Sequence, residues 1–174
     1  MTTLSYARPV AGEYPAYFET YLGQVGEPDP LVVMTRQLDE VPAFFRGLPP
    51  GKADFAYAPG KWTVKEVLGH LSDTERVMTY RALRIARGDP TPLPGFDENA
   101  WMPGAGFRDR TLESLADEWT LVRRATLSLF DSLPAGARAA TGTANNKPIS
   151  VRALAFMIPG HVRHHLNVVR ERYL

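Results

Sequence analysis

The stretch 111-TLESLADEWTLVRRATLSLFDSLP-134 decides the fold. Leu112, Leu115, Trp119, Val122, Thr126, Leu129 and Leu133 recur at alternating steps of three and four. That spacing is the a/d seam of helices packed side by side in a bundle. Upstream, 63-TVKEVLGHLSDTERVMTYRALRIARGDP-90 opens on a Thr63-x-x-Glu66 capping box and stops at Gly88 and Pro90. Val64, Val67, Leu68, Leu71, Val77 and Met78 supply its apolar positions. In 29-DPLVVMTRQLDEVPAFFRG-47, Asp29 is placed to cap, Pro30 to start the helix, and Leu31, Met34, Leu38, Val41 and Phe45 to form its stripe. Pro42 should bend or weaken its last turn. Ser150 caps the final helix, 151-VRALAFMIPGHVRHHLNVVRERY-173, which Pro159–Gly160 should kink just before His161.

Two further segments complete the chain. Tyr14, Tyr17, Phe18, Tyr21, Leu22 and Val25 lie at helical spacing and predict a short amphipathic helix near the amino terminus. Between Gly88 and Arg110 the chain is rich in proline and glycine, yet it carries Phe96, Trp101 and Phe107. An ordered crossover fits that composition better than a disordered tether. "ANNKP" reads as a turn, and no segment reads as a strand. The expectation is an all-α, single-domain four-helix bundle over residues 1–174, with a short additional N-terminal helix and a long connection between its second and third long helices.

The composition is that of an ordinary soluble domain, with 44% apolar and 22% charged residues and a formal net charge of +1. That charge gives no electrostatic case for nucleic acid or an anionic membrane. No apolar run reaches the ~18 residues of a membrane span, and the start "MTTLSYARPVAGEY" shows no leader, so a cytoplasmic location is expected. The absence of cysteine excludes disulfides and protein thiolate ligands.

Of the four histidines, three fall within five consecutive positions. At about 100° per residue, His161 and His165 stack one above the other on the last helix, while His164 points some 60° away from His161. His70 lies on the core-facing side of its own helix with Val67, Thr74 and Val77. Two histidines at i and i+4 with one from a facing helix can make three corners of a metal site. The competing reading is structural: a hydrogen-bonded core histidine, and a solvated, dipole-favoured helix end. Asp73, one turn from His70, is a candidate to orient a ligand or act as a base, or else a surface carboxylate paired with a nearby arginine. Arg81 and Arg84 share the face of His70, but eleven residues of helix span about 16 Å, which favours salt bridges for both. Asp97, Glu98 and Asn99, with Trp101 as a wall, either line a mouth or sit on a packed crossover. The chain offers no Glu-x-x-His pairs for a di-iron bundle and no G-x-S-x-G nucleophile.

The blocks "PGKWTVKEVLGHL" and "PGHVRHHLNVVRERY" carry a resemblance over most of the chain to the DinB superfamily of metal-binding four-helix bundles, and within it to a branch of bacterial thiol-transferase-like metalloproteins. The resemblance implies a divalent metal, zinc or nickel, on His70, His161 and His165. It also implies small-thiol-dependent S-transfer as the leading chemistry, a low-molecular-weight thiol as co-substrate, and a homodimer whose interface the aromatic N-terminal segment helps to form. A metal-dependent hydrolase and a non-catalytic metal-binding protein are the other two readings.

Overall fold

The computed structural model describes residues 6–174; residues 1–5, the first part of the stretch read as carrying no leader, lie outside the described residues. Four long helices form the bundle: α2 (Pro30–Arg46), α3 (Val64–Ala86), α5 (Leu112–Ser132) and α7 (Val151–Arg172). Short helices α1 (Glu19–Leu22), α4 (Glu98–Trp101) and α6 (Ala135–Arg138) sit on the connections. Helices α2 and α3 each pack mainly against α5 and α7, so the two that are consecutive in sequence face each other across the diagonal. Among the described residues no helix is long and apolar enough to cross a membrane.

The caps form where the sequence places them. The Asp29 carboxylate accepts from the Leu31 N–H at 3.0 Å, and the Ser150 hydroxyl accepts from Ala153 N–H at 3.1 Å. In the capping box, Thr63 N–H donates to Glu66 at 2.7 Å and Glu66 N–H donates to Thr63 Oγ1 at 3.3 Å. Glu66 also accepts from Arg108 Nε at 2.8 Å, which ties the start of α3 to the end of the Gly88–Arg110 connection. Neither internal proline ends its helix: α2 runs through Pro42 to Arg46 and α7 through Pro159 to Arg172. Gly160 is needed for space. A Cβ there would collide with the backbone carbonyl of Tyr21, so the glycine lets the N-terminal segment lie against α7.

One element departs from the expectation of no strands. β1 (Thr141–Ala144) and β2 (Lys147–Ser150) pair antiparallel, and Leu93 of the long connection bridges to Ala144. The turn between them puts Asn145 and Asn146 at φ of 50° and 57°, the left-handed region a two-residue hairpin loop requires. "ANNKP" is therefore a turn, but each flanking strand has only four residues and shows no clean alternation. Periodicity has nothing to register there.

The seam also shifts. Leu115, Trp119, Thr126 and Leu133 are buried as expected, but Val122 and Leu129 are only half-buried, and Arg123 and Phe130 take the interior instead. On α2, Gln37 is buried while Leu38 is half-buried. Both displacements have one cause. Arg123 donates through Nε and Nη2 to the two oxygens of Glu75 at 2.7 and 2.9 Å, and through Nη1 to Gln37 Oε1 at 2.6 Å and to Met34 O at 3.3 Å. Gln37 Nε2 in turn donates to the Pro159 carbonyl at 3.0 Å. All four long helices meet in this knot. Above and below it the apolar residues divide into two clusters: one holds Met34, Met78, Phe130 and Ile158, the other Val41, Leu71, Trp119 and Val162.

A bidentate pair with side chains 0% and 2% exposed is costly to break from one side only. Arg123→Met should therefore lower unfolding free energy by about 3–5 kcal/mol in urea titrations. The double variant R123M/E75M should recover much of that loss, because it leaves no buried carboxylate unpaired.

Candidate metal centre

His70 stands on α3 and His161 and His165 on α7, two helices that pack directly against each other. One ring nitrogen from each of the three lies within 4.8 Å of the others, and His70 Nε2 and His161 Nε2 are 3.1 Å apart. Ring centroids are separated by 5.0 Å (His70–His161), 4.9 Å (His70–His165) and 4.5 Å (His161–His165). His164 is half-buried beside them, its ring 5.1 Å from that of His165 and edge-on to Tyr21 at 5.4 Å.

The surroundings favour neutral imidazoles. Burial pushes His70 down to about 4, and burial with the neighbouring histidines pushes His165 down to about 3. His161 is driven well below its ordinary value by burial first, then by His165, His70 and His164. No carboxylate appears among these causes, so nothing opposes the loss of the proton. Neutral imidazole is the form that coordinates metal. Zinc–nitrogen bonds of about 2.0–2.1 Å at tetrahedral angles separate two ligand nitrogens by about 3.3 Å, close to the spacing of His70 and His161. The donor set fits a divalent transition ion, and imidazole alone does not choose between zinc and nickel.

The neighbours of the rings were only partly legible. The Thr74 hydroxyl lies 3.3 Å from His70 Nδ1, the nearest hydrogen-bonding group to that nitrogen, and it sits one turn along α3, where the i+4 rule could have found it. Trp62 tilts over His70 at 4.7 Å between ring centroids, and Tyr21 meets His161 edge-on at 5.2 Å. No local pattern announces either. Asp73 is half-buried, and among the described residues its carboxylate accepts from Arg76 at 3.4 Å and from no histidine; burial raises its pKa while Arg76 lowers it. It flanks His70 in a small side cavity that also holds Phe96, Glu98 and Trp101.

The rings open onto a cavity of about 300 Å³ whose walls come from distant segments: Tyr17 and Tyr21, Arg81, Phe96 and Glu98, and Asn145. The "FDENAW" loop contributes less than a full mouth. Asp97 is the cap of α4, accepting from Asn99 N–H at 2.9 Å and Ala100 N–H at 3.1 Å. Asn99 faces a different surface cavity, and Trp101 stacks on Phe96 at 4.9 Å outside the pocket wall. Arg84 forms the expected salt bridge, to Asp89. Arg81 does not; it lines the histidine pocket, and among the described residues no carboxylate pairs with it.

The sequence profile of the DinB superfamily matches residues 34–169, which is most of the chain, and the protein belongs to that superfamily. The fold is similar to that of YfiT from Bacillus subtilis, described as a probable metal-dependent hydrolase with an unusual four-helix bundle topology. The TM-score is 0.69 at 17% identity, over 97% of this chain and 95% of that one. No curated protein sequence matches.

The low histidine values set a pH dependence for the metal-free protein. His70 titrates near 6.5 when unfolded and near 4 when folded, so below about 6.5 the unfolded chain binds the extra proton and stability falls until pH 4. Between pH 7.5 and 5 that loss is about 2 kcal/mol for His70 alone. Urea unfolding of the metal-free protein should show it, and His70→Gln should flatten the profile by about that amount.

Proposed function

We propose that this DinB-superfamily chain is a metal-dependent enzyme, with a divalent zinc or nickel ion held by His70, His161 and His165 and a small thiol as one of its substrates. The observation that carries the reading is the convergence of three imidazoles, those of His70 and His161 buried and that of His165 half-buried, at the base of an open cavity. Three protein ligands leave a coordination position free for solvent or substrate, the arrangement of catalytic rather than structural sites. When bound, the ion supplies Lewis acidity that lowers the pKa of a water or thiol in that position.

The chain's own groups do the rest. Thr74 packs its hydroxyl against the His70 ring, 3.3 Å from Nδ1 and 3.5 Å from Nε2, and Trp62 and Tyr21 shield the histidines from bulk water. The walls admit a small organic molecule and hold its electrophilic carbon near the sulfur. A C–S bond forms there as the leaving group departs with the bonding pair, and the thiol proton passes to solvent. Thiol chemistry is favoured because a coordinated thiol needs no general base, and among the described residues no carboxylate hydrogen-bonds to the three rings. In this reading Asp73 pairs with Arg76 and takes no proton from substrate.

Hydrolysis is the second reading. It is favoured by the similarity to YfiT and by Glu98, a carboxylate in the same cavity that could relay a proton from water.

Elemental analysis of untagged wild type beside His70→Ala and His161→Ala is the first test. Near-stoichiometric metal in the wild type, lost in both variants while circular dichroism shows intact helix, is expected; trace metal in all three returns the histidines to a structural role. With the metal-loaded protein, conversion of 1-chloro-2,4-dinitrobenzene should require added thiol, giving the thioether, chloride and a proton. Cleavage of p-nitrophenyl acetate without thiol, and no thiol-dependent product, would favour hydrolysis.

A further inference from the structure

The geometry points to a carboxylate subsite at Arg81: the molecule that occupies the histidine cavity carries a carboxylate at the end remote from the three imidazoles. This inference rests on the cavity being the substrate site, as proposed above, but not on the metal or the reaction. Arg81 is 5% exposed, and it lines the same cavity as His70, His161 and His165. Its Nη2 donates to the Pro94 carbonyl at 2.7 Å, and its Nη1 approaches Met78 Sδ at 3.7 Å. A guanidinium has five N–H donors, so most remain uncommitted.

The other buried arginine of the core shows what is missing. Arg123 has a bidentate carboxylate in Glu75 and a second acceptor in Gln37. Among the described residues Arg81 has no carboxylate within salt-bridge distance, and the Tyr17 hydroxyl is the titratable group that acts on its charge. A buried cation without a counter-ion is expensive, and a site that keeps one is completed by an anionic ligand. The Phe96 ring lies 5.7 Å from the guanidinium carbon and helps to hold the fork in place.

The chemistry of the cavity selects the anion. A planar guanidinium presents parallel donors that match a carboxylate. One cation among apolar walls such as Met78, Ile149, Leu154 and Met157 balances a single negative charge better than a phosphate dianion. Among the described residues Glu98 is the only carboxylate on the cavity wall, and its charge works against such a ligand. The ligand class is therefore an organic acid with an apolar body between its carboxylate and its reacting end.

The test uses hexanoate, hexanol and hexyl phosphate as probes, titrated calorimetrically into both metal-free and zinc-loaded protein. Hexanoate should bind the wild type about tenfold more tightly than hexanol in both forms, the worth of one charge-assisted contact. Arg81→Met should abolish that margin and leave hexanol affinity, zinc content and helicity unchanged; Arg81→Lys should keep part of it, and Glu98→Gln should widen it. Equal binding of acid and alcohol, or a margin that survives in R81M, overturns the subsite. A margin that appears only with zinc and survives R81M places the carboxylate on the metal instead, which overturns Arg81 while sparing the metal site. Arg81-dependent binding in which hexyl phosphate outcompetes hexanoate overturns the carboxylate assignment. Should R81M fail to fold, the opposite shifts of R81K and E98Q decide. Because the metal-free form reports on Arg81 alone, failure of the metal reading is scored separately by zinc content.

Discussion

The ion pair between Arg123 and Glu75, closed by Gln37 onto the Pro159 carbonyl, is the constraint around which this bundle is arranged. An apolar core tolerates sliding, because one leucine packs much like another. A fully desolvated guanidinium does not, since every displaced hydrogen bond leaves a buried group unpaired. The knot draws groups from all four long helices and fixes their heights relative to one another. Glu75 lies five residues after His70 on α3, and Pro159 two residues before His161 on α7. Holding those two positions level holds the histidines level as well.

The same polar layer separates the two apolar clusters, and the histidines occupy its edge. Such a layer costs stability, which the clusters above and below must supply. In return the fold gains a place where imidazoles are buried enough to be neutral yet open on one side. The indole N–H of Trp119, under the Arg123 guanidinium at 4.7 Å, is the sole buried side-chain N or O without a hydrogen-bond partner among the described residues. Its aromatic face meets the cation while its donor goes unmet, a small penalty at the centre of an otherwise satisfied network.

The walls of the cavity are assembled from segments that could not be joined by inspection of the sequence. Tyr21 arrives because Gly160 leaves room for its carbonyl, and Asn145 because a left-handed turn closes the hairpin over Leu93. The long connection is pinned at its far end by Arg108 on the capping-box glutamate, so one carboxylate serves both the helix start and the crossover. Much of the cavity wall thus comes from connecting segments, while the histidines stand on rigid helices.

What the sequence by itself determined is the set of features governed by local rules: four long helices, their caps at Asp29, Thr63 and Ser150, and the stacking of His161 on His165 at one turn. These follow from a 3.6-residue period and from backbone groups that must find partners nearby. The sequence leaves the pairing of His70 with that couple as one of two readings, and the resemblance to a family favours it. Only the tertiary structure decided that Arg123 and Gln37 point inward in place of Val122 and Leu38, that short strands form at Thr141–Ser150, and that Arg81 faces the cavity while Arg84 takes the salt bridge. Hydrophobic periodicity ranks positions by their apolarity, so it places a charged residue outside. Whether a charge is buried depends on a partner supplied by another helix, and no local pattern records that partner.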